Sequence, residues 1–485
     1  MFPITASGSY CPHNKYNKGM IDRNEIDSKA SEFEINTSDV QRDYVFGWLL
    51  FAIYNNKYLS DLLILKGGNC FRKAYFPNTR FSSDLDFSTQ QALDLDRLER
   101  EIEICCRVAQ DVSGIQFVTE RNSFKESKRA NLGKNVDRKI YKGKVFFEDF
   151  YGKKSTLEIS VRMDVTEFDK IYMPISEVPI IHPYSDGDKC QVALRCVAIE
   201  EGIASKLKCL LQRRHSHDLY DLVYAAFFNE EIDLDRSQIA SIFLKKTIFE
   251  PSPGAAKQIL LGLPMPFFKA AWEKYIVCPA RSRVDFDRAE SIYANFIDSI
   301  FATTGRSDRV SDAFFPAELR NVILDAGASM KLMRVTYDGM RRTVEPYSLT
   351  YKRTKDGRAR EYFYAWDRSG GNSGHPGIRT LTNPKVLDPE ILEETFDPQF
   401  EIELSKSGEK SDRSYFSGRP KISKSSSLPR RQRAPVYSGA AKRIVECPNC
   451  RRQFKRQSSS LSLRSHKDRN GYDCYGRSGY FVGWE

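Results

Sequence analysis

The chain has 485 residues, of which 41% are hydrophobic and 29% charged, a composition typical of a globular protein too long for one core. Its 75 Lys and Arg residues outnumber the 64 Asp and Glu residues, and the resulting net charge of +11 favours a polyanionic partner. No run approaches the roughly 20 apolar residues of a membrane span, and the N-terminal segment lacks the pattern of a secretory signal. Eleven cysteines, mostly scattered, do not have the spacing of a disulfide framework. We therefore expect a cytoplasmic protein with no membrane partner.

The N-terminal half alternates helical and strand-like patterns. Apolar residues at helical spacing, among them Val40, Tyr44 and Trp48, predict a helix from Ser38, which is its candidate N-cap. The next predicted elements are a strand at 62–66, a strand at 81–89, a helix at 93–112, a β-hairpin with strands at 144–150 and 156–165, and a mostly helical stretch from about 191 to 304.

The pattern changes after residue 304. Short strand-like runs separated by polar, glycine-containing turns occupy residues 331–379 and predict a small β-barrel. Residues 405–442 are rich in Ser, Lys and Arg and poor in large apolar residues, which predicts a flexible basic linker. The final segment contains closely spaced cysteines.

Two carboxylates stand two residues apart in the predicted strand 81–89. Asp84 and Asp86 therefore project from the same face of the strand, where together they offer the hard oxygen ligands that Mg²⁺ prefers. A D-x-D triplet on its own is more often a solvated strand or loop face. Upstream, Gly67 and Gly68 lie between a predicted strand and a helix, where bare backbone N–H groups can approach phosphate oxygens.

The segment as a whole is more specific than its parts. It reads KGG at 66–68 and RFSSDLDF at 80–87, and it resembles the KGG turn and the R-x-S-x-D-L-D-F strand of the AbiEii/AbiGii abortive-infection toxin family. The resemblance covers roughly residues 25–230 and includes QRDY at 41–44, EGIASK at 201–206 and RRHSHDLYD at 213–221. It implies a polymerase-β-like nucleotidyltransferase core, in which a mixed sheet is flanked by helices, and an NTP substrate with Mg²⁺ or Mn²⁺.

The resemblance also implies the site residues. Asp84, Asp86 and a third carboxylate would bind the metal; Glu158 is the candidate for the third and Asp164 the alternative. Asp218 would complete the catalytic set as an orienter or a proton acceptor. The residues implied to hold the triphosphate are Lys66, Gly67, Gly68, Ser82, Lys206 and Arg213. His217 stands where the family usually has Arg, so phosphate contact there is expected to be weaker or pH-dependent.

Each of these residues also has a structural reading. Lys206 and Arg213 fit the solvated face of an amphipathic helix, and Asp218 fits a helix N-terminus, where its charge interacts with the helix dipole. For any one of these residues alone, the structural interpretation is favoured. For the whole set, which has the family's order and spacing, the functional interpretation is favoured.

Residues from about 315 to 400 resemble the WYL domain, a small Sm/SH3-like barrel of bacterial regulators and defence proteins. The similarity rests on the runs VTY at 335–337, VEPY at 344–347, YFYAWD at 362–367 and GIRT at 377–380. The resemblance implies a nucleic-acid or nucleotide-like ligand, because aromatic faces stack on bases while an arginine binds phosphate. Arg379 is the candidate ligand contact, whereas each aromatic residue taken alone fits a barrel core better.

The C-terminal segment contains a C-x-x-C knuckle and two further metal-ligand residues. Four soft or borderline ligands in a short segment are what structural Zn²⁺ requires, and the segment has too few apolar residues to fold without such a staple. The predicted ligands are Cys447, Cys450, His466 and Cys474. The surrounding Arg and Lys residues favour phosphate contact, although zinc ribbons also serve as protein-docking modules.

These patterns predict an α+β chain in four parts: a nucleotidyltransferase with a helical extension (1–304), a WYL-like SH3-type β-barrel (305–404), a basic linker (405–442) and a Cys-Cys-His-Cys zinc finger (443–485). The predicted reaction moves an NMP to an acceptor hydroxyl, with RNA such as tRNA as the implied acceptor. The family resemblance implies a toxin or phage-defence role and a cognate antitoxin, and the last two modules favour DNA or RNA contact. Two alternatives stay open: a nucleic-acid-binding regulator with an inactive transferase scaffold, and an enzyme that transfers NMP to protein.

Overall fold

The computed structural model describes residues 21–128, 139–151, 159–302, 312–353, 359–371, 374–410, 416, 418, 443–456, 461–468 and 472–484. Glu158 and most of the predicted linker lie outside the described residues. The described residues divide into two compact units: the first contains those within 21–202 and 276–284, and the second those within 203–275 and 285–484. Among the described residues, no helix combines the length and apolar character that a membrane span requires.

The first unit is built on a seven-stranded mixed sheet. Its strands are β1 (Ile64–Lys66), β2 (Asp84–Thr89), β3 (Ser123–Lys128), β4 (Lys139–Phe147), β5 (Ile159–Glu167), β6 (Ser176–Pro179) and β7 (Ala193–Cys196), in the order β3-β4-β5-β2-β1-β7-β6. The pairs β2–β5 and β1–β7 are parallel and the other neighbours antiparallel. Its helices are α1 (Arg23–Phe33), α2 (Thr37–Asn55), α3 (Leu59–Leu62), α4 (Gly67–Cys70) with a π-helical turn at Phe71–Tyr75, and α5 (Leu95–Ser113). The predicted mixed sheet with helices is confirmed.

One face of this sheet carries the hydrophobic core. Leu85, Met163 and Val165 alternate with polar residues along their strands and pack with α2 and α5 into one buried cluster. Helix α2 is buried around most of its surface, as expected for a central helix. The prediction of Ser38 as its N-cap is wrong, because the helix begins at Thr37 after Asn36, whose extended backbone marks the cap. The predicted strands at 62–66 and 81–89 are shorter, since pairing begins at Ile64 in the first and at Asp84 in the second.

A buried ion cluster joins α2 to the segment after β1. The Asp43 carboxylate accepts hydrogen bonds from Arg72 Nε at 2.7 Å and from Lys73 Nζ at 2.9 Å, and all three side chains are at most 2% exposed. The Tyr184 hydroxyl donates a further bond at 2.9 Å. Burial alone would raise the pKa of Asp43, but the two cations reverse this and hold that pKa well below its usual range.

The second unit is helical and then β-rich. Its helices are α6 (Ile199–Gln212, which begins in the first unit), α7 (Ser216–Val223) with a π-helical turn at Tyr224–Phe228, α8 (Arg236–Lys246), α9 (Pro253–Leu261), α10 (Met265–Lys269), α11 (Trp272–Tyr275), α12 (Phe286–Ile300) and α13 (Ala317–Ser329). Apart from β7, this agrees with the mostly helical stretch predicted from 191 to 304.

Five strands follow: β8 (Lys331–Tyr337), β9 (Met340–Arg353), β10 (Ala359–Asp367), β11 (Gly377–Leu381) and β12 (Val386–Thr395). They form one antiparallel sheet in the order β11-β10-β9-β8-β12, against which α13 packs. In the described part of this region no pairing joins β11 to β12, so the structure does not show a closed SH3-like barrel, and the WYL-like interpretation stays a prediction. Sequence analysis missed β12, whose residues alternate weakly and end in a run of acidic side chains.

The C-terminal segment forms two small sheets. One has the order β14 (Gln453–Arg456), β13 (Arg443–Glu446), β17 (Tyr480–Trp484), and the other is a hairpin of β15 (His466–Lys467) and β16 (Asp473–Cys474). Its small core consists of Val445, Leu463 and the three cysteine side chains, with Phe454 packed beside them.

The Asp43 cluster makes a testable prediction about stability. Asp43→Asn leaves two buried cations without a counter-charge, so we expect it to lower the free energy of opening of α2 by about 3–5 kcal/mol. Asp39→Asn on the same helix breaks an ion pair with Arg42 whose side chains are 20% and 22% exposed, and we expect about 1 kcal/mol or less. Native-state hydrogen exchange of the α2 amides measures both values, and equal effects would contradict the assigned role of Asp43.

The same cluster predicts a pH dependence. Because the pKa of Asp43 is depressed in the folded protein, its stabilising effect is complete above the unfolded-state pKa of about 3.9 and is lost as pH falls below it. The difference in stability between the native protein and Asp43→Asn should therefore shrink in acid, as followed by urea unfolding at successive pH values. A difference that grows on acidification would contradict the assignment.

Candidate functional site

The strand register assembles the site of the first unit on the sheet face opposite the core. Asp86 of β2 lies beside Asp164 of parallel strand β5, and Asp84 lies beside Arg162. Residues in register on adjacent strands project to the same side, and so do residues two apart along one strand. Asp84, Asp86 and Asp164 thus share one surface, here named the carboxylate face.

Basic residues flank these carboxylates in the same register rows. Lys66 of β1 lies opposite Asp86, and Lys142 of β4 lies opposite Asp164. In the adjoining row, Arg162 lies between Asp84 and Lys144. In the row of Asp86 and Asp164, Lys125 of β3 follows Lys142. The carboxylates therefore sit within a cationic border that runs toward the β3 edge of the sheet.

The turn after β1 approaches the carboxylate face closely. Gly67 has a φ of +76°, which disfavours other residues, and a Cβ there would lie 2.2 Å from Asp86 Oδ2. A Cβ at Gly68 would lie 2.8 Å from Ser82 Oγ. The KGG motif is thus a glycine pair because the backbone touches the carboxylate strand, which places backbone amides beside Asp86.

Hydrogen bonds fix the start of β2. The Asn69 Nδ2 group donates to the Asp84 carbonyl at 2.6 Å, and Ser82 Oγ donates to Asp84 Oδ1 at 3.1 Å. Lys66 Nζ donates to Asp169 Oδ2 at 2.6 Å, and Ser88 Oγ donates to the same oxygen at 3.0 Å. Asp169 is a contact of the site that sequence analysis missed, because it lies beyond β5 in a segment without a motif.

Asp164 is the third carboxylate that the structure brings to this face. Burial raises its pKa, Lys142 opposes that effect, and the neighbouring Asp84 adds to it. A raised carboxylate pKa next to another carboxylate is typical of a site that gains from a bound cation. Glu158, the first-choice candidate, lies outside the described residues, and the alternative, Asp164, lies directly beside Asp86.

In the second unit, the predicted lysine and aspartate form a buried ion cluster. Lys206 Nζ of α6 lies 3.0 Å from Asp218 Oδ1 and 2.7 Å from Asp221 Oδ2 of α7. Arg213 binds both oxygens of Asp218 at 2.7 Å in a bidentate pair. Burial would raise the pKa of Asp218, but Arg213 and Lys206 hold it well below its usual range. Asp218 therefore remains ionised and orients the two cations.

His217 makes a backbone contact. Its Nε2 donates to the Tyr275 carbonyl at 2.6 Å, which ties α7 to the end of α11. The arginine expected here from the family pattern is thus replaced by a residue that joins two helices of the same unit.

Arg379 of β11 contacts the loop that precedes its own strand. Its guanidinium donates to the carbonyls of His375 at 2.8 Å and Gly370 at 3.4 Å. On the neighbouring strand, Phe363 is fully buried and Tyr362 and Tyr364 are 9% and 8% exposed, in agreement with the core reading of the aromatics.

The four predicted zinc ligands are brought together. One ligand atom from each of Cys447, Cys450, His466 and Cys474 lies within 4.8 Å of the others. The Cys447 and Cys474 sulfurs are 3.5 Å apart, and Cys450 Sγ is 3.3 Å from His466 Nε2. These separations are close to the edges of a tetrahedron with bonds of about 2.0–2.3 Å to a central Zn²⁺.

A comparison with protein families agrees with the transferase core. The family model described as nucleotidyl transferase AbiEii toxin, type IV TA system, matches residues 48–313. Among solved structures, the nucleotidyltransferase toxin MenT4 from Mycobacterium tuberculosis is similar at 17% identity and a TM-score of 0.36, over 59% of this chain and 89% of that one. No curated protein gives a significant match.

The close approach of Gly67 to Asp86 is testable. Gly67→Ala must accommodate both a positive φ and a Cβ that displaces the Asp86 carboxylate. We therefore expect the local free energy of unfolding to fall by clearly more than the roughly 1 kcal/mol that the backbone strain alone would cost. Gly339→Ala is the matched control, since Gly339 has a φ of +77° with nothing within 4 Å of the added Cβ. Hydrogen exchange of the strand amides next to each glycine measures the two losses. Equal losses would show that Asp86 does not restrict position 67.

Proposed function

The chain belongs to the AbiEii family of nucleotidyltransferase toxins, and from that premise we propose that its carboxylate face holds the metal ion and the NTP of the transfer reaction. The chain is accordingly a nucleotidyltransferase, in a family of type IV toxin–antitoxin systems whose toxins have a cognate antitoxin as partner. The observation that carries the proposal is the register that sets Asp86 beside Asp164, with Asp84 two residues away on the same face.

The donor set fits Mg²⁺ or Mn²⁺. Carboxylate oxygens are the ligands that these ions prefer, and a cation between Asp84, Asp86 and Asp164 would relieve the repulsion that contributes to the raised pKa of Asp164. Such an ion supplies charge neutralisation at the transferring phosphoryl group. Ser82 and Asn69 contribute by holding Asp84 in place.

The Gly67–Gly68 turn is proposed to receive phosphate oxygens. Its backbone approaches Asp86 and Ser82 closely, so a triphosphate held by its amides would lie beside the carboxylates. Lys66, at the end of β1, is paired with Asp169 and adds positive charge beside the turn. In the reaction, an acceptor hydroxyl attacks the α-phosphorus and loses its proton, a new phosphoester bond forms, and the bond to pyrophosphate breaks.

Lys206 and Arg213 are proposed, on the family motif, to contact phosphate oxygens of the NTP, with Asp218 as their orienter. The depressed pKa of Asp218 and its bonds to both cations favour this role over that of a proton acceptor, because a carboxylate with so low a pKa is a weak base. His217, bound to a carbonyl, is not needed as a phosphate ligand.

RNA, such as tRNA, is the proposed acceptor class. The cationic border of the carboxylate face supports it, since Lys125 and Lys144 are exposed and Lys142 and Arg162 half-buried, in rows that lead away from the carboxylates. A polyanionic acceptor bound along these rows would place a terminal hydroxyl near the metal site. The WYL-like region, with Arg379, and the C-terminal module are proposed as additional nucleic-acid contacts.

The C-terminal module is proposed to bind one structural Zn²⁺. The gathered Cys₃His set and the module's small apolar core support this, because so few apolar residues cannot stabilise two small sheets without a further cross-link.

Label transfer tests the enzymatic proposal. Protein incubated with Mg²⁺ or Mn²⁺, each α-labelled NTP and total tRNA should transfer label to RNA. In Asp84→Asn and Asp164→Asn the rate should fall by about three orders of magnitude, because several kcal/mol of charge stabilisation are lost. Asp111→Asn, at an exposed position of α5, is the control and should retain activity.

The other outcomes of this assay are informative. Label on protein instead of RNA would favour protein modification, and activity that survives Asp164→Asn would remove Asp164 from the metal site. If the folded protein binds nucleic acid but transfers no label, the result would favour a nucleic-acid-binding regulator with an inactive transferase scaffold.

Metal analysis tests the zinc proposal. The native protein should contain about one tightly bound zinc per chain, as four ligands imply. Cys447→Ser should lose it, whereas Cys209→Ser, outside the cluster on α6, should retain it. A zinc-free native protein, or retention in Cys447→Ser, would contradict the assignment.

A further inference from the structure

The Cys₃His cluster lies in a module that packs against the turn between α6 and α7. The hydroxyl of half-buried Tyr472 donates to the carbonyl of Gln212, the last residue of α6, and also lies 3.0 Å from the Ser405 carbonyl. Next to it, His215 Nε2 lies 3.7 Å from Asp468 Oδ2, and the His215 and Tyr472 rings are 6.4 Å apart. The last carbonyls of a helix lack partners within the helix, so the Tyr472 hydroxyl caps the C-terminus of α6.

The contacting residues belong to the hairpin that carries two of the metal ligands. His466 and Cys474 are paired across β15 and β16. Asp468 directly follows β15, and Tyr472 directly precedes β16. The Asp468 amide donates to the Tyr472 carbonyl at 2.6 Å, and the Tyr472 amide donates to Asp468 Oδ1 at 2.9 Å. A metal ion that joins His466 to Cys474 would therefore fix the spacing of the two residues that touch the turn.

The other half of the cluster contacts the same region through Tyr275. The Tyr275 hydroxyl donates to the carbonyl of Pro448, which lies in the C-x-x-C knuckle between Cys447 and Cys450. The Tyr275 carbonyl accepts the bond from His217 of α7 at 2.6 Å. Both ligand pairs are thus connected to the α6–α7 junction, one directly and one through Tyr275.

The junction needs such support. Arg214 has a φ of +50°, a left-handed conformation that a residue other than glycine adopts only when its surroundings hold it there. Its buried guanidinium is held from α13 by Asp325 at 2.6 Å and Asn321 at 2.7 Å. Arg213, the adjacent residue, is one of the two cations that bind Asp218, so a shift of this turn would displace that cluster.

We propose that the C-terminal zinc module is a built-in clamp on the α6–α7 turn, with Tyr472 as a positioning residue, so that metal occupancy of the Cys₃His cluster sets the geometry of Arg213 and Asp218. The proposal rests on the proposed zinc site for its structural consequence, and on the proposed transferase activity only for its catalytic one. Zinc removal by chelation would release the end of α6 and reduce nucleotidyl transfer without changing any residue of the first unit.

Hydrogen exchange with and without zinc tests the structural part. The full-length protein is compared as isolated and after treatment with a chelator, with zinc content measured on each sample. Metal removal should increase amide exchange in residues 206–221 about tenfold or more, while the strands of the carboxylate face keep their protection. Zinc loss with unchanged exchange at 206–221 would overturn the clamp, whether or not the protein shows transferase activity.

A conservative variant tests the positioning role. Tyr472→Phe keeps the ring and removes the hydroxyl that caps α6; with zinc content unchanged, it should lower kcat or raise the KM for NTP by about threefold to tenfold and raise exchange at 206–221. Tyr475→Phe, at an exposed tyrosine of the same module, is the matched control and should do neither. A Tyr472→Phe protein with native kinetics and native exchange would overturn the role of Tyr472. If the native protein transfers nothing, the proposed function fails while the exchange result still decides the clamp.

Discussion

A single buried carboxylate, Asp43, forms ion pairs with two buried cations, Arg72 and Lys73, in the π-helical turn that follows the Gly67–Gly68 segment. Arg72 also donates to the carbonyls of Pro77 and Thr79, and its guanidinium lies 3.6 Å from the ring centroid of Phe81. The cluster therefore holds both the beginning and the end of the segment that connects β1 to β2 (residues 67–83). Because buried ions are costly without their partners, this segment has one stable arrangement, and that arrangement places the glycine turn against the carboxylate strand.

On that scaffold, the sheet arranges charge by register alone. Parallel pairing of β2 with β5 sets carboxylates side by side. Antiparallel pairing of β2 with β1, and of β5 with β4, sets lysines on both sides of them. Like charges on adjacent strands destabilise a sheet, whereas the same pair becomes favourable around a divalent cation. The raised pKa of Asp164 is the electrostatic sign of this arrangement, and it agrees with a site whose energetics are completed by metal and substrate.

The sequence predicted what local spacing encodes and missed what depends on distant contacts. Asp84 and Asp86 were predictable because two carboxylates on one strand share a face, and the Cys₃His set because its spacing matches a metal knuckle. The family resemblance favours Glu158 as the third carboxylate, with Asp164 as the alternative, and the position of Asp164 beside Asp86 depends on a parallel pairing that no local pattern specifies. The burial of Arg72 likewise depends on a distant partner, since Asp43 lies 29 residues earlier in the chain. Tyr472 gave no signal, since the carbonyl it caps lies 260 residues away in the chain.

The measurement that tests the proposed catalytic site most directly is diffraction from crystals grown with Mn²⁺ and a non-hydrolysable NTP analogue, with data collected for the anomalous signal of manganese. We expect an anomalous peak among the carboxylates of Asp84, Asp86 and Asp164, with the triphosphate of the analogue extending toward the Gly67–Gly68 turn. Nucleotide bound elsewhere, or manganese on other ligands while these three carboxylates hold none, would contradict the assignment of the carboxylate face as the catalytic centre.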